Sequence, residues 1–182
     1  RQAKSIDSRQ LFREELNYSL ARVEETDLSV PAFSEDTLEV LREIIADCRE
    51  HNIELKLFIS PVHARQLEKM RELGRYKDFE NWKRELVAIV EEDARRNFPQ
   101  PRVSLWDFSG YNSITTEAVP PEESSEQMRW YLEASHYKKE LGDVILAVME
   151  QDSARFEDLP SDFGVLLTEN TLETHLASIQ TA

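Results

Sequence analysis

Four histidines and a single cysteine, Cys48, set among 36 acidic side chains, are the groups in this 182-residue chain best suited to proton transfer or ligation. His136 stands apart from the rest. It lies in Trp130-Tyr-Leu-Glu133-Ala-Ser135-His136-Tyr-Lys-Lys-Glu-Leu-Gly142, where an irregular stretch gives way to helical spacing. An imidazole acting as general base needs a carboxylate to fix its tautomer and balance the imidazolium. Glu133, three residues earlier, is placed to supply it, although Glu-x-x-His also arises by chance. His63 follows a strand terminus in Ser60-Pro-Val-His63, at the carboxyl end where open α/β sheets put their ligands. Its plainer reading is a helix-start residue without chemistry. His51 sits at a helix end and reads as structural, and His175, among polar neighbours in the last helix, reads as solvent-exposed. His63, Glu133 and His136 together would make a metal set, but no local His-x-x-x-His spacing supports it. No metal and no cofactor are expected.

These residues need elements to hold them. Residues 6–25 show amphipathic helical spacing through Ile6, Leu11, Phe12, Leu16, Leu20 and Val23. After a break at Asp27–Pro31, Ser34 is a good N-cap for a helix to about residue 51, with a face of Leu38, Leu41, Ile44, Ile45 and Cys48. Ile53, Leu55 and Leu57 alternate with Glu54 and Lys56 before the run turns apolar at Phe58 and Ile59, which predicts a strand entering a buried sheet and stopped by Pro61. Two helices are expected over 62–73 and 76–98, around Gly74. A second buried strand follows over Val103–Phe108. From Ser109 to Ser135 the periodicity is lost, and loops of that length are functional or disordered. Helix returns over about 136–150, a linker runs through Pro160, and a last helix covers about 169–180. Trp82 and Trp106 read as core. Tyr111, Trp130, Tyr131 and Tyr137 are placed to line a pocket, for example for a sugar ring.

The helix–strand order is that of an α/β unit. Two strands do not make a stable sheet, so either weak strands are hidden or the chain is the C-terminal part of a larger domain; the expectation is the latter. The whole of 1–182 reads as one domain, with 1–33 an N-terminal helix and linker, 34–151 the α/β portion carrying Glu133 and His136, and 152–182 an acidic linker and final helix.

Composition narrows the function. At 40% hydrophobic and 32% charged the chain is globular. Its formal charge of −14 argues against nucleic-acid binding, which needs clustered Lys and Arg, and against a basic membrane-surface helix. One cysteine forbids an intrachain disulfide and leaves the compartment and the oligomeric state open. The acidity is concentrated: Glu117, Glu122, Glu123 and Glu126 give −4 over 115–126, and seven acids against Arg155 give −6 over 150–182. Both stretches flank the His136 helix, so a neutral or cationic substrate is expected over a polyanion.

Glu133-x-x-His136 ahead of an amphipathic helix resembles the C-terminal Asp-x-x-His block of SGNH (GDSL-type) hydrolases. Phe58-Ile-Ser-Pro-Val-His63, Asp107-Phe-Ser-Gly-Tyr-Asn112, Glu117, Ser135-His136-Tyr137 with Gly142, and Asp162-Phe-Gly164 are similar to uncharacterised bacterial SGNH-like proteins related to envelope and polysaccharide O-acyltransferases. The resemblance implies a three-layer, flavodoxin-like α/β fold, seen as its C-terminal part. It also implies a serine esterase or O-acyltransferase acting on a small-molecule or envelope-glycan ester, in a periplasmic or envelope setting. His136 would be the base and Glu133 its orienting acid, where the family has Asp. The family's Gly-Asp-Ser nucleophile block is absent, which places the nucleophile upstream and leaves this chain inactive alone. Ser109, directly after a strand and before Gly110, is the internal substitute, but it lacks the Gly-x-Ser-x-Gly frame. Asn112 would match the oxyanion donor of a Gly-x-Asn block, against its reading as a turn residue beside Gly110. Asp107 is a comparable candidate for positioning substrate or His136. The competing functional class is an SGNH-like binding or scaffolding domain without catalysis.

Overall fold

The structure, a computed structural model, describes residues 35–121, 126–152 and 160–181. The helix expected over 6–25 and the N-cap at Ser34 lie outside the described residues. The order is α1 (Glu35–Glu50), β1 (Lys56–Ile59), α2 (Ala64–Glu72), α3 (Tyr76–Arg96), β2 (Ser104–Asp107), α4 (Lys139–Glu150), β3 (Val165–Leu166) and α5 (Leu172–Gln180). The protein is α/β and helix-rich, with a three-stranded mixed sheet in the order β1-β2-β3. Among the described residues no helix is long and apolar enough to cross a membrane.

Local chemistry explains the element ends. Glu35 and Asp36 open α1 and Arg49 closes it, each matching the helix dipole. Asn52 then adopts φ 54°. The Ile53 N–H donates to the Cys48 carbonyl at 2.8 Å and the Asn52 N–H to the Arg49 carbonyl at 3.3 Å, a Schellman closure. Gly74, at φ 68°, ends α2 in the same way, with the Arg75 N–H donating to the Met70 carbonyl at 2.8 Å. A side chain there would find open space, so the backbone angle and not crowding calls for glycine.

Backbone contacts divide the chain into two units, each discontinuous in sequence. One takes the described parts of Val30–Ser60, Met70–Phe108 and Gly164–Ala182 and holds the sheet. β1 and β2 pair in parallel, Lys56 with Ser104 through Ile59 with Asp107. The central strand β2 is buried on both faces at Leu105, Trp106 and Asp107. Phe79, Leu86, Val87, Ile89 and Val90 of α3 add the helical core. Two expectations need correction here. β1 is an edge strand among the described residues, with Phe58 41% exposed, because β2 covers only one of its sides. The stretch read as linker contains a hidden third strand, β3, antiparallel to β2 through Trp106–Leu166 and Asp107–Val165. Two residues are too few for any alternation to register.

The other unit contains Pro61–Lys69 and the described part of Ser109–Phe163. The stretch without periodicity is ordered by side chain-to-backbone bonds rather than by regular elements. Ile114, Met128, Tyr131, Ala134, Leu141, Val144 and Ile145 are among the buried residues of this unit. Helix α4 begins at Lys139, three residues after His136, because 131 and 137 pair as an isolated antiparallel bridge.

Candidate functional site

The bridge between Tyr131 and Tyr137 makes 130–138 a short hairpin. The Leu132 N–H donates to the His136 carbonyl at 2.9 Å and the Lys138 N–H to the Trp130 carbonyl at 2.7 Å. Alternation across a ladder puts Tyr131 and Tyr137 on one face and Leu132 and His136 on the other. Tyr131 is fully buried while Leu132 is 40% exposed and the His136 side chain is 77% exposed. The register of this hairpin therefore points the imidazole outward.

The loop of the hairpin holds the orienting acid. Glu133 is buried, and its carboxylate accepts from the Ser135 N–H at 2.8 Å and from the Ser135 hydroxyl at 3.0 Å. His136 Nδ1 donates to Glu133 Oε1 and lies 3.1 Å from Ser135 Oγ. With the Nδ1–H directed at the carboxylate, the lone pair sits on Nε2, the nitrogen available to take a proton from an attacking hydroxyl. The structure thus joins the two residues singled out in the sequence and adds Ser135, which holds the carboxylate through its N–H and hydroxyl.

The hairpin is braced from below by His63. Its N–H donates to the Ala134 carbonyl at 2.9 Å. Its Nε2 donates to the Glu117 carbonyl at 2.8 Å, and its Nδ1 accepts from the Arg65 N–H at 3.2 Å. Its ring meets Tyr131 edge-on at 5.2 Å. These partners define the neutral Nε2–H tautomer, and burial holds the imidazole below its usual pKa despite the Glu117 carbonyl. Glu117 also uses its carboxylate on the Trp130 N–H, at 2.9 Å, and on the Arg129 N–H. The Tyr131 hydroxyl donates to the Pro61 carbonyl at 2.8 Å. Tyr131 is therefore a core residue and not a pocket wall, a correction that follows from the hairpin register. Trp130 is half-buried beneath the Arg129 guanidinium, 4.2 Å from the ring centre, and Tyr111 donates to Glu68.

Two further candidates are in this unit. Ser109 is buried. Asn112 is buried too, and its Oδ1 accepts from the N–H groups of Ile114 at 3.1 Å and Thr115 at 2.9 Å, so its amide oxygen is committed to an Asx turn. Among the described residues no three His, Cys, Asp or Glu side chains form a metal-ligand set.

Asp107 belongs to the other unit. Its Oδ2 accepts from Lys83 Nζ at 2.6 Å and from His175 Nε2 at 3.0 Å. Burial works to raise this carboxyl, but the His175 hydrogen bond and the Lys83 ammonium outweigh it and hold the carboxyl below its usual value. His175 is not solvent-exposed as its polar sequence neighbours suggest; its side chain is 10% exposed, because α5 turns this one position toward β2. Trp106 is core as expected, and Trp82 is half-buried, stacked on Phe79 at 5.7 Å. His51 donates from Nδ1 to the Asp47 carbonyl at 2.9 Å, a structural bond at the α1 end.

The chain matches no family model, no curated protein and no solved structure.

Proposed function

We propose that this chain is the base-bearing part of an SGNH-like serine hydrolase or O-acyltransferase with the three-layer, flavodoxin-like fold, acting on a small-molecule or glycan ester. One observation carries the reading: a buried carboxylate fixes Nδ1 of an imidazole whose other nitrogen faces outward. In such a reaction the hydroxyl proton of a serine supplied from sequence upstream passes to His136 Nε2 as the oxygen attacks the acyl carbon. Glu133 stabilises the imidazolium without taking the proton itself, and Ser135 keeps the carboxylate turned toward the ring. The proton then returns from Nε2 to the leaving alcohol. Hydrolysis and transfer differ only in whether water or a second hydroxyl resolves the acyl-enzyme.

The test is labelling of the longer reading frame with a fluorophosphonate probe. Labelling is expected on an upstream serine and lost in His136→Ala, with Glu133→Gln lowering ester turnover by about 10³–10⁴-fold. The isolated 182 residues should show no turnover; ester hydrolysis by them that disappears in Ser109→Ala would overturn the assignment. The alternative reading, a binding or scaffolding domain of the same fold, draws support from the burial of both Ser109 and Asn112. It predicts no probe labelling at any serine.

A further inference from the structure

We infer that the cleft at the amino-terminal ends of β1 and β2 binds an uncharged, largely apolar small molecule with a hydrogen-bonding end, of the class of a medium-chain alcohol or ester. Because the two strands are parallel, the residues leading into them, 52–55 and 100–103, emerge at the same end. Together with the last turns of α1 they enclose about 510 Å³, within the range of about 300–1,000 Å³ typical of small-molecule sites. The cleft lies wholly within one unit.

About half of its lining side chains are apolar. Ile45 and Val103 are buried, Leu55 and Cys48 are half-buried, and Ile53 stands at the surface, 58% exposed. An alkyl chain laid against these side chains would remove its own surface and theirs from water.

The charges around the cleft decide what kind of head group fits. Arg49 is clamped on Asp93 by Nε at 3.3 Å and Nη2 at 2.5 Å, while its Nη1 donates to the Pro101 carbonyl at 2.7 Å. Arg102 pairs with Glu91 through Nη2, and Glu54 lies 3.4 Å from Lys56 Nζ. Every ion in the wall has its counter-ion, so no net charge is left to select an ionic ligand. Hydrogen-bonding capacity remains nonetheless. Arg102 Nε and Nη1 have no acceptor among the described residues, and the Asn52 and Gln100 side chains are part of the lining. A hydroxyl or ester carbonyl satisfies such donors without bringing a charge out of water.

Cys48 is the only cysteine in the chain and lines the cleft, so its alkylation reports occupancy. The experiment measures iodoacetamide labelling of the 182-residue chain against increasing 1-octanol, with sodium octanoate as the charged counterpart. Octanol is expected to slow labelling saturably by about tenfold, with octanoate needing about ten times the concentration for the same protection. The exposed substitution Ile53→Asp, with circular dichroism unchanged, should remove most of that protection. An unaltered labelling rate in octanol, octanoate protecting at equal or lower concentration, or full protection in folded Ile53→Asp would each overturn the inference. Should that variant not fold, the octanol–octanoate comparison on the unaltered chain decides alone.

Discussion

Two histidine–carboxylate pairs among the described residues have similar bonds and opposite surroundings. In the hairpin, the His136 side chain is 77% exposed while Glu133 is 10% exposed, and the third participant is the neutral Ser135. Beside the sheet, the side chains of His175, Asp107 and Lys83 are 10%, 0% and 1% exposed, and the third participant is a cation. Burial makes the second cluster interdependent. His175 and Lys83 hold Asp107 ionised against its burial, and the enclosed Lys83 has Asp107 as an ion partner and the Phe79 ring beneath its ammonium. The exposed pair works the other way: the carboxylate is held by its own loop, and the outward nitrogen is left for chemistry. A His–carboxylate contact is thus a structural rivet when both partners are enclosed and a candidate catalytic dyad when only the acid is.

That contrast can be broken most forcefully at Asp107. Asp107→Ala removes the buried carboxylate that pairs with Lys83 and His175 and should cost about 3–5 kcal/mol, read from the urea midpoint. The double variant Lys83→Met/Asp107→Leu removes both charges together and should cost less than the single one. Equal losses would show the two groups to be energetically independent. A smaller effect is expected from His175→Ala, about 1–3 kcal/mol, with the Lys83–Asp107 pair left in place.

Acid should act on the two units in different ranges. His63, in the hairpin unit, is held below its usual pKa, mainly by burial, so the unfolded chain takes up that proton first. Its stabilisation is complete above about pH 6.5 and is lost as pH falls from there toward the folded value. The Asp107 carboxyl is also depressed, so its contribution is complete above about pH 3.9 and is lost as pH falls through its own lower folded value. His63→Gln should therefore flatten the dependence of stability on pH just below 6.5 and leave the more acidic decline in place. The weakest effect belongs to the exposed partner: His136→Ala should change the unfolding free energy by no more than about 0.5 kcal/mol, whatever it does to turnover. A loss above about 2 kcal/mol in thermal or urea unfolding would mean that the hairpin depends on the ring.

Much of this was legible before any coordinates. The helices over 35–50, 76–96 and 139–150 and the strands over 56–59 and 104–107 follow from hydrophobic periodicity, since each is long or apolar enough for its pattern to exceed chance. Glu133 and His136 were legible together because three residues separate them, and a local loop brings them into contact without help from the rest of the chain. The two-residue strand β3 was not visible, nor was the edge position of β1, which depends on what the sheet places beside Phe58. Lys83, Asp107 and His175 do not stand out as a group in the sequence, because the partners are 24 and 68 positions apart, and no spacing rule spans such distances.

The sequence alone therefore determined the local matters: which segments are helical, that the chain breaks around Gly74, and that an acid stands within reach of His136. These depend on interactions between near neighbours, and the residue order specifies those directly. Only the tertiary structure decided which histidine is enclosed and which is open. Burial depends on segments distant in sequence coming to cover a side chain. The same imidazole becomes a rivet or a base according to which of its nitrogens that packing leaves uncovered.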